Sequence, residues 1–246
     1  MRTKWLGLAL LLLGNHAWAQ VGELYNADVT ENTSITDPAR AMKAADGQWL
    51  AFSMPVLDGT HSPCCWKGKW NRMGEVGCSL ESRHQSYGTR SDSPHADNVI
   101  VFSEIRDGQV HSLRIVGEFC PVEGSGAQVT WIGSVDNTAG LDWLEDVART
   151  DTRDSAGESA LFALALHRSF DAGQRLYALA LKTDDDLSEQ ATFWLGEARG
   201  EQGSQMLMEI ARNRLAPREA RRQALFWLAQ SDDDNTVAAL TELLTR

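Results

Sequence analysis

The chain has few basic residues and lacks long apolar segments beyond its N-terminus. Its 246 residues carry 23 lysines and arginines against 34 aspartates and glutamates, a formal net charge of −11. This balance argues against nucleic acid and against anionic membrane surfaces, because both are bound by a basic face. After residue 19 no apolar run reaches the length of a transmembrane helix, so we expect no membrane span.

Signatures of common enzymes are also missing. The sequence has no glycine-rich phosphate loop, no nucleophile elbow and no lone cysteine with a known partner signature. Its histidines beyond residue 19 stand at no known metal-ligand spacing: His61, His84, His95, His111 and His167. We therefore predict no catalytic residue, no cofactor and no metal ligand. A metal site in the loops stays open as an alternative. His61, His84 and His95 share a loop-rich region with Asp58 and Asp92, whose carboxylates could also be ligands.

The N-terminus is typical of an export signal. Residues 1–4 contain an arginine and a lysine, residues 5–13 are apolar, and Ala17 and Ala19 are the small residues that a signal peptidase recognises. We expect cleavage after Ala19 and a mature protein that is periplasmic or secreted. Such compartments are oxidising, and cysteines there usually pair.

The four cysteines are Cys64, Cys65, Cys78 and Cys120. A bond between the two adjacent cysteines would close a strained ring. We therefore predict that Cys78 and Cys120 each pair with one member of the adjacent pair, and the sequence leaves open which takes which.

Two other uses of the cysteines remain open. All four could form a tetrahedral zinc site, although structural zinc prefers spaced pairs such as C-x-x-C. Alternatively, Cys64 and Cys65 could be a thiol–disulfide centre, with a thiolate stabilised by Lys67 and Lys69.

The first half of the chain is rich in β-forming residues. Two apolar runs within residues 98–119 are joined by Asp107-Gly108, a dipeptide that favours a tight hairpin turn. Residues 49–54 and 129–132 are further short β-rich runs. These patterns predict a small, mostly antiparallel β domain, followed by a helix over residues 141–149.

The second half contains an internal repeat. The segment ATFWL at residues 191–195 recurs as ALFWL at 224–228, and a weaker copy, ALFAL, lies at 160–164. Each copy has two apolar stripes of helical spacing separated by a polar turn, which predicts a helix hairpin. One hairpin cannot bury its apolar face, so we expect the copies to stack around a core of leucines and aromatic rings. These rings are Phe193, Trp194, Phe226 and Trp227.

Over residues 155–246 the chain resembles the short bacterial HEAT-like repeats, including those of phycobilisome lyases. The segments WLAFSMP, CCW, GCSLE and FCPVEGSGAQVTWIGSV resemble the cysteine-bearing part that precedes such repeats in some secreted bacterial proteins. The resemblance implies an α-solenoid that binds proteins along its concave helix row, and it implies no enzymatic activity.

Together these patterns predict an α+β protein with a signal peptide over residues 1–19. A small disulfide-stapled antiparallel β domain follows over 20–150, then an α-solenoid of about three HEAT-like helix pairs over 151–246. The boundary lies in the polar segment 149–159.

We expect a non-catalytic binding or scaffold module with a protein partner. The second helices of the repeats offer four candidate partner contacts: Lys182, Glu209, Asn213 and Glu242. The alternative is a thiol–disulfide enzyme or sensor centred on Cys64 and Cys65.

Overall fold

The computed structural model describes residues 21–66, 77–82, 86–88, 92–135, 137–150, 155–182, 185–230 and 240–241. The predicted signal peptide lies outside these ranges, as do Lys67, Lys69, His84 and Glu242. The described strands are β1 (Glu23–Glu31), β2 (Trp49–Pro55), β3 (Cys64–Trp66), β4 (Cys78–Ser79), β5 (Ser86–Gly88), β6 (Asn98–Arg106), β7 (Gln109–Gly117) and β8 (Pro121–Ser134). The described helices are α1 (Pro38–Met42), α2 (Asn137–Thr150), α3 (Ser155–Leu166), α4 (Phe170–Ala180), α5 (Asp185–Ala198), α6 (Gly200–Arg212) and α7 (Arg218–Ala229).

A six-stranded mixed sheet is the centre of the fold. Five strands follow the order β1-β8-β2-β6-β7, and β4 adds to β8. Strand β8 runs parallel to β1, β2 and β4, whereas β2, β6 and β7 are antiparallel neighbours. The prediction of a small antiparallel β domain is therefore wrong. Instead of continuing the meander beside β7, β8 returns to lie beside β2.

The β6–β7 hairpin forms where the sequence predicted it. Arg106 pairs with Gln109, and the two residues between them adopt positive φ angles of 53° at Asp107 and 69° at Gly108. These angles match the geometry that a two-residue hairpin loop requires.

At the centre of the sheet both faces are buried, as strand β2 shows. Leu50, Phe52 and Met54 point to the face that the helices cover, while Trp49 and Ala51 point to the face that carries the four cysteines. The alternation follows from the two-residue period of a strand. A central strand buried on both sides explains why its sequence is apolar throughout.

Helix α3 explains why the solenoid prediction is wrong. Residues 160–166 are all buried, so the last two turns of the helix are apolar around their whole circumference. Such a segment must be covered on every side. Helix α3 packs against β7, α2 and α5 together, and one continuous apolar core runs from Ala41 in α1 to Leu228 in α7. The helices are thus built onto the sheet and do not follow it as a separate stack.

Backbone hydrogen bonds join the end of β2 to the end of α3. The N–H of Leu57 donates to the carbonyl of Leu166 over 2.8 Å, and the N–H of Arg168 donates to the carbonyl of Pro55 over 3.1 Å. Sheet and helices therefore share both a core and a hydrogen-bonded seam.

The domain boundary near residue 150 stays a prediction. Among the described helices, none is both long and apolar enough to cross a bilayer.

Candidate functional site

A cleft of about 600 Å³ lies beside β7, an edge strand of the sheet. Its walls come from the segments around the two disulfides, strand β2, the β6–β7 hairpin, and helices α3 and α5. The lining residues are Trp49, Cys65, Leu80, Glu81, Ser82, Gly88, Glu104, Arg106, His111, Ser112, Leu113, Arg114, Ile115, Glu158, Ser159, Phe162 and Trp194. Binding sites in proteins commonly have this combination of apolar walls and a few polar groups.

Two aromatic rings form the helical wall of the cleft. Phe162 of α3 and Trp194 of α5 lie with ring centroids 4.9 Å apart. Phe162 is buried, whereas Trp194 is partly exposed. Glu158 stands one helical turn before Phe162 and is exposed, so a carboxylate lies on the same helical face as the aromatic ring.

The cations of the cleft already have partners, whereas two of its carboxylates have none in the part of the chain that the structure describes. Arg106 forms an ion pair with Glu104, and the guanidinium of Arg114 donates to the carbonyl oxygens of Leu113 and Ser82, each over 3.2 Å. Glu81 and Glu158 are exposed and form no hydrogen bond or ion pair within the described ranges. The cleft therefore places two exposed carboxylates beside aromatic surface.

An aromatic row continues from the cleft across the helices: Phe162, Trp194, Phe193, Trp227 and Phe226. Successive ring centroids are 4.9, 4.7, 5.1 and 5.1 Å apart. The leucines next in sequence, Leu195 and Leu228, are buried as predicted, but Phe226 is 54% exposed. The prediction that all these aromatic rings lie in the core is therefore wrong. Most of the row covers the core from outside.

The disulfide prediction is confirmed, and the pairing is now assigned. Cys64 bonds Cys120 and Cys65 bonds Cys78, and all four cysteines are buried. The two bridges touch, because the Sγ atoms of Cys78 and Cys120 lie 3.7 Å apart. The disulfides are compatible with the oxidising compartment that the N-terminal residues predict.

The structure brings together some of the side chains of the two metal sites left open by the sequence, the cysteine site and the histidine site. The Sγ atoms of Cys64, Cys78 and Cys120 lie within 4.8 Å of one another, but here they are disulfide sulfurs, whereas zinc needs thiolates. His61 and His95 pair as a β-bridge with ring centroids 4.6 Å apart. Within the described ranges, no third histidine, cysteine or carboxylate ligand joins these two histidines.

The described partner-contact candidates lie away from the cleft. Lys182 follows α4 and is exposed, Glu209 lies in α6, and Asn213 caps the C-terminus of α6. The Asn213 side chain accepts from the N–H of Leu215 over 2.9 Å. Their role in partner binding stays a prediction, and Glu242 lies outside the described residues.

Sequence reasoning missed the helical wall of the cleft. Glu158 fell within the segment predicted to be a linker, and Trp194 was assigned to a core. One signal was available in the weak repeat copy ALFAL, which lacks the polar positions that a solvent-facing helix needs.

Comparison of the chain with protein-family models, curated proteins and solved structures finds no match. The resemblance to short bacterial HEAT-like repeats therefore stays a prediction.

Proposed function

We propose that this protein is an exported, non-catalytic binding module that holds an extended basic segment of a partner protein in the cleft beside β7. The observation that carries the proposal is that Glu81 and Glu158, which have no ion-pair partner among the described residues, lie with aromatic rings in one cleft on an edge strand.

The edge strand suits an extended ligand. The C-terminal end of β7 is covered, since the N–H of Gly117 donates to the carbonyl of Pro63 over 2.7 Å. The stretch from His111 to Leu113 lies in the cleft. Extended peptides commonly bind by adding to such an edge, with side-chain pockets that set specificity.

Charge favours a basic ligand. Among the described residues, no lysine or arginine forms an ion pair with Glu158 or Glu81, while Arg106 and Arg114 are already engaged. A lysine or arginine placed at Glu158 would lie near the rings of Phe162 and Trp194, where its aliphatic stem gains apolar contact and its charge a cation–π interaction. The net charge of −11 would speed the approach of such a segment.

The test uses a labelled peptide of alternating lysine and valine, with its glutamate–valine counterpart as the control ligand. Fluorescence anisotropy should show binding of the basic peptide only, weakened by salt. Glu158→Gln should weaken binding about fivefold, the effect of roughly 1 kcal/mol for an ion pair near the surface. Trp194→Leu should weaken binding by a similar factor.

The matched control is Glu23→Gln, at an exposed glutamate of β1 on the opposite edge of the sheet. It should leave binding unchanged. Equal binding of both peptides, or equal effects of the two glutamate substitutions, would refute the proposal.

A further inference from the structure

We propose that the two disulfides form one exchange unit, in which reduction at either adjacent cysteine leaves a Cys78–Cys120 bridge and a Cys64–Cys65 dithiol. The geometry that carries this proposal is the 3.7 Å contact between the Sγ atoms of Cys78 and Cys120, which belong to different bridges. The inference goes beyond the binding function and does not require a ligand in the cleft.

The first step is attack by a dithiol reductant, such as a reduced partner protein with two neighbouring thiols. Its thiolate attacks the Sγ of Cys65, which is the one cysteine that lines the cleft. A mixed disulfide forms between the reductant and Cys65, the bond from Cys65 to Cys78 breaks, and Cys78 leaves as a thiolate.

The second step is internal. The Cys78 thiolate lies beside the Sγ of Cys120 and attacks it, so that a bond from Cys78 to Cys120 forms and the bond from Cys120 to Cys64 breaks. Attack within one molecule has a high effective concentration when the atoms are already in contact. Cys64 leaves as a thiolate.

In the third step the mixed disulfide is resolved and the reductant is oxidised. The second thiol of the reductant attacks its own sulfur in the mixed disulfide, which releases Cys65 and oxidises the reductant to an internal disulfide. Two electrons have moved from the reductant to the protein, and its two protons end on Cys64 and Cys65. One disulfide remains in the protein, between Cys78 and Cys120.

Entry at the other adjacent cysteine gives the same product. Cys64 is the most exposed of the four, at 8%. Attack there expels Cys120, whose sulfur then attacks Cys78 and expels Cys65. Both routes converge because each adjacent cysteine is bonded to one of the two sulfurs in contact.

The product differs chemically from the native state. Two thiols now stand on adjacent residues of β3, and Cys65 lines the cleft. Such a pair is a ligand for soft electrophiles such as a trivalent arsenical, which bridges two neighbouring thiols. The native bridges offer no thiol to this reagent.

Limited reduction of the native full chain by dithiothreitol, followed by iodoacetamide, tests the proposal. Trypsin places both adjacent cysteines on residues 44–67, Cys78 on 73–83 and Cys120 on 115–149. The two-thiol intermediate should carry both labels on residues 44–67, with 73–83 disulfide-linked to 115–149. The same intermediate should bind phenylarsine oxide.

The control is the double variant Cys64→Ser/Cys120→Ser, in which the acceptor bridge is missing. Its reduction should label Cys65 and Cys78 together. In the wild-type chain, an intermediate that keeps either native bridge would overturn the proposal. So would full reduction without any accumulated two-thiol species.

Discussion

The guanidinium of Arg199 donates to the carbonyl oxygen of His167 over 2.5 Å, and both side chains are buried. Arg199 also donates to the carbonyls of Ala165 and Ser169 over 3.3 and 3.0 Å. It lies between α5 and α6, so it ties this corner to the α3–α4 turn and satisfies carbonyls that the end of α3 leaves unpaired.

The first prediction concerns this arginine. Arg199→Lys should lower the free energy of unfolding by about 2 kcal/mol, because lysine cannot reach all three carbonyls and buried acceptors lose their donors. Urea denaturation measures the change. Arg212→Lys, at an exposed position of α6, is the control and should be neutral. Equal effects of the two substitutions would contradict the role assigned to Arg199.

The second prediction concerns pH. Burial, followed by the charges of Arg199 and Arg168, lowers the pKa of His167 from 6.5 to about 4. The unfolded chain therefore binds more protons between these values. The stability that neutral His167 contributes is complete above pH 6.5 and is lost as pH falls toward 4, by about 3 kcal/mol in total.

His167→Asn isolates this effect. The asparagine oxygen can replace the Nδ1 atom that accepts from the N–H of Ser169 over 3.1 Å, but it does not titrate. Between pH 7 and pH 4 the wild-type chain should lose about 3 kcal/mol more stability than the variant. Parallel losses in urea titrations at each pH would show that His167 is not the responsible group.

The third prediction concerns the close approach of Gly117 to Ser62. A Cβ atom at residue 117 would overlap the Ser62 hydroxyl and lie 2.9 Å from the Ser62 Cα, so the segment before Cys64 must shift. Gly117→Ala should cost about 3 kcal/mol, the upper range for overpacking. Adding Ser62→Gly should restore part of the loss. An unchanged thermal midpoint for Gly117→Ala would count against this contact.

The fourth prediction compares how much each disulfide contributes to the free energy of unfolding. The Cys64–Cys120 bridge spans 56 residues and the Cys65–Cys78 bridge spans 13. In the chain-entropy model the longer loop stabilises by about 4 kcal/mol and the shorter by about 3. Replacing the first pair by serines should therefore destabilise the chain more in urea titrations than replacing the second pair. The reverse order would contradict the model.

Features that depend on neighbouring residues were predictable. The hairpin at Asp107 and Gly108 follows from the positive φ angles that this dipeptide tolerates, and the helical second half follows from its apolar spacing. The partners of Cys78 and Cys120 were restricted to the adjacent cysteines because a direct bond between Cys64 and Cys65 is strained.

The candidate site was mostly not predictable, because its walls are distant in sequence. Cys65, His111 and Trp194 meet at one cleft only after β7 takes the sheet edge and α3 packs beside it. No local pattern marks Glu158 as a neighbour of these residues.

The sequence by itself determined the local elements and the set of allowed cysteine pairings, since both depend on short-range sterics and periodicity. Tertiary structure decided that β8 lies parallel beside β2, that α3 is enclosed between the sheet and α5, and that the two disulfides touch. These outcomes depend on which apolar faces bury each other. Many segments have faces of similar composition, so only the complete packing arrangement selects the partners.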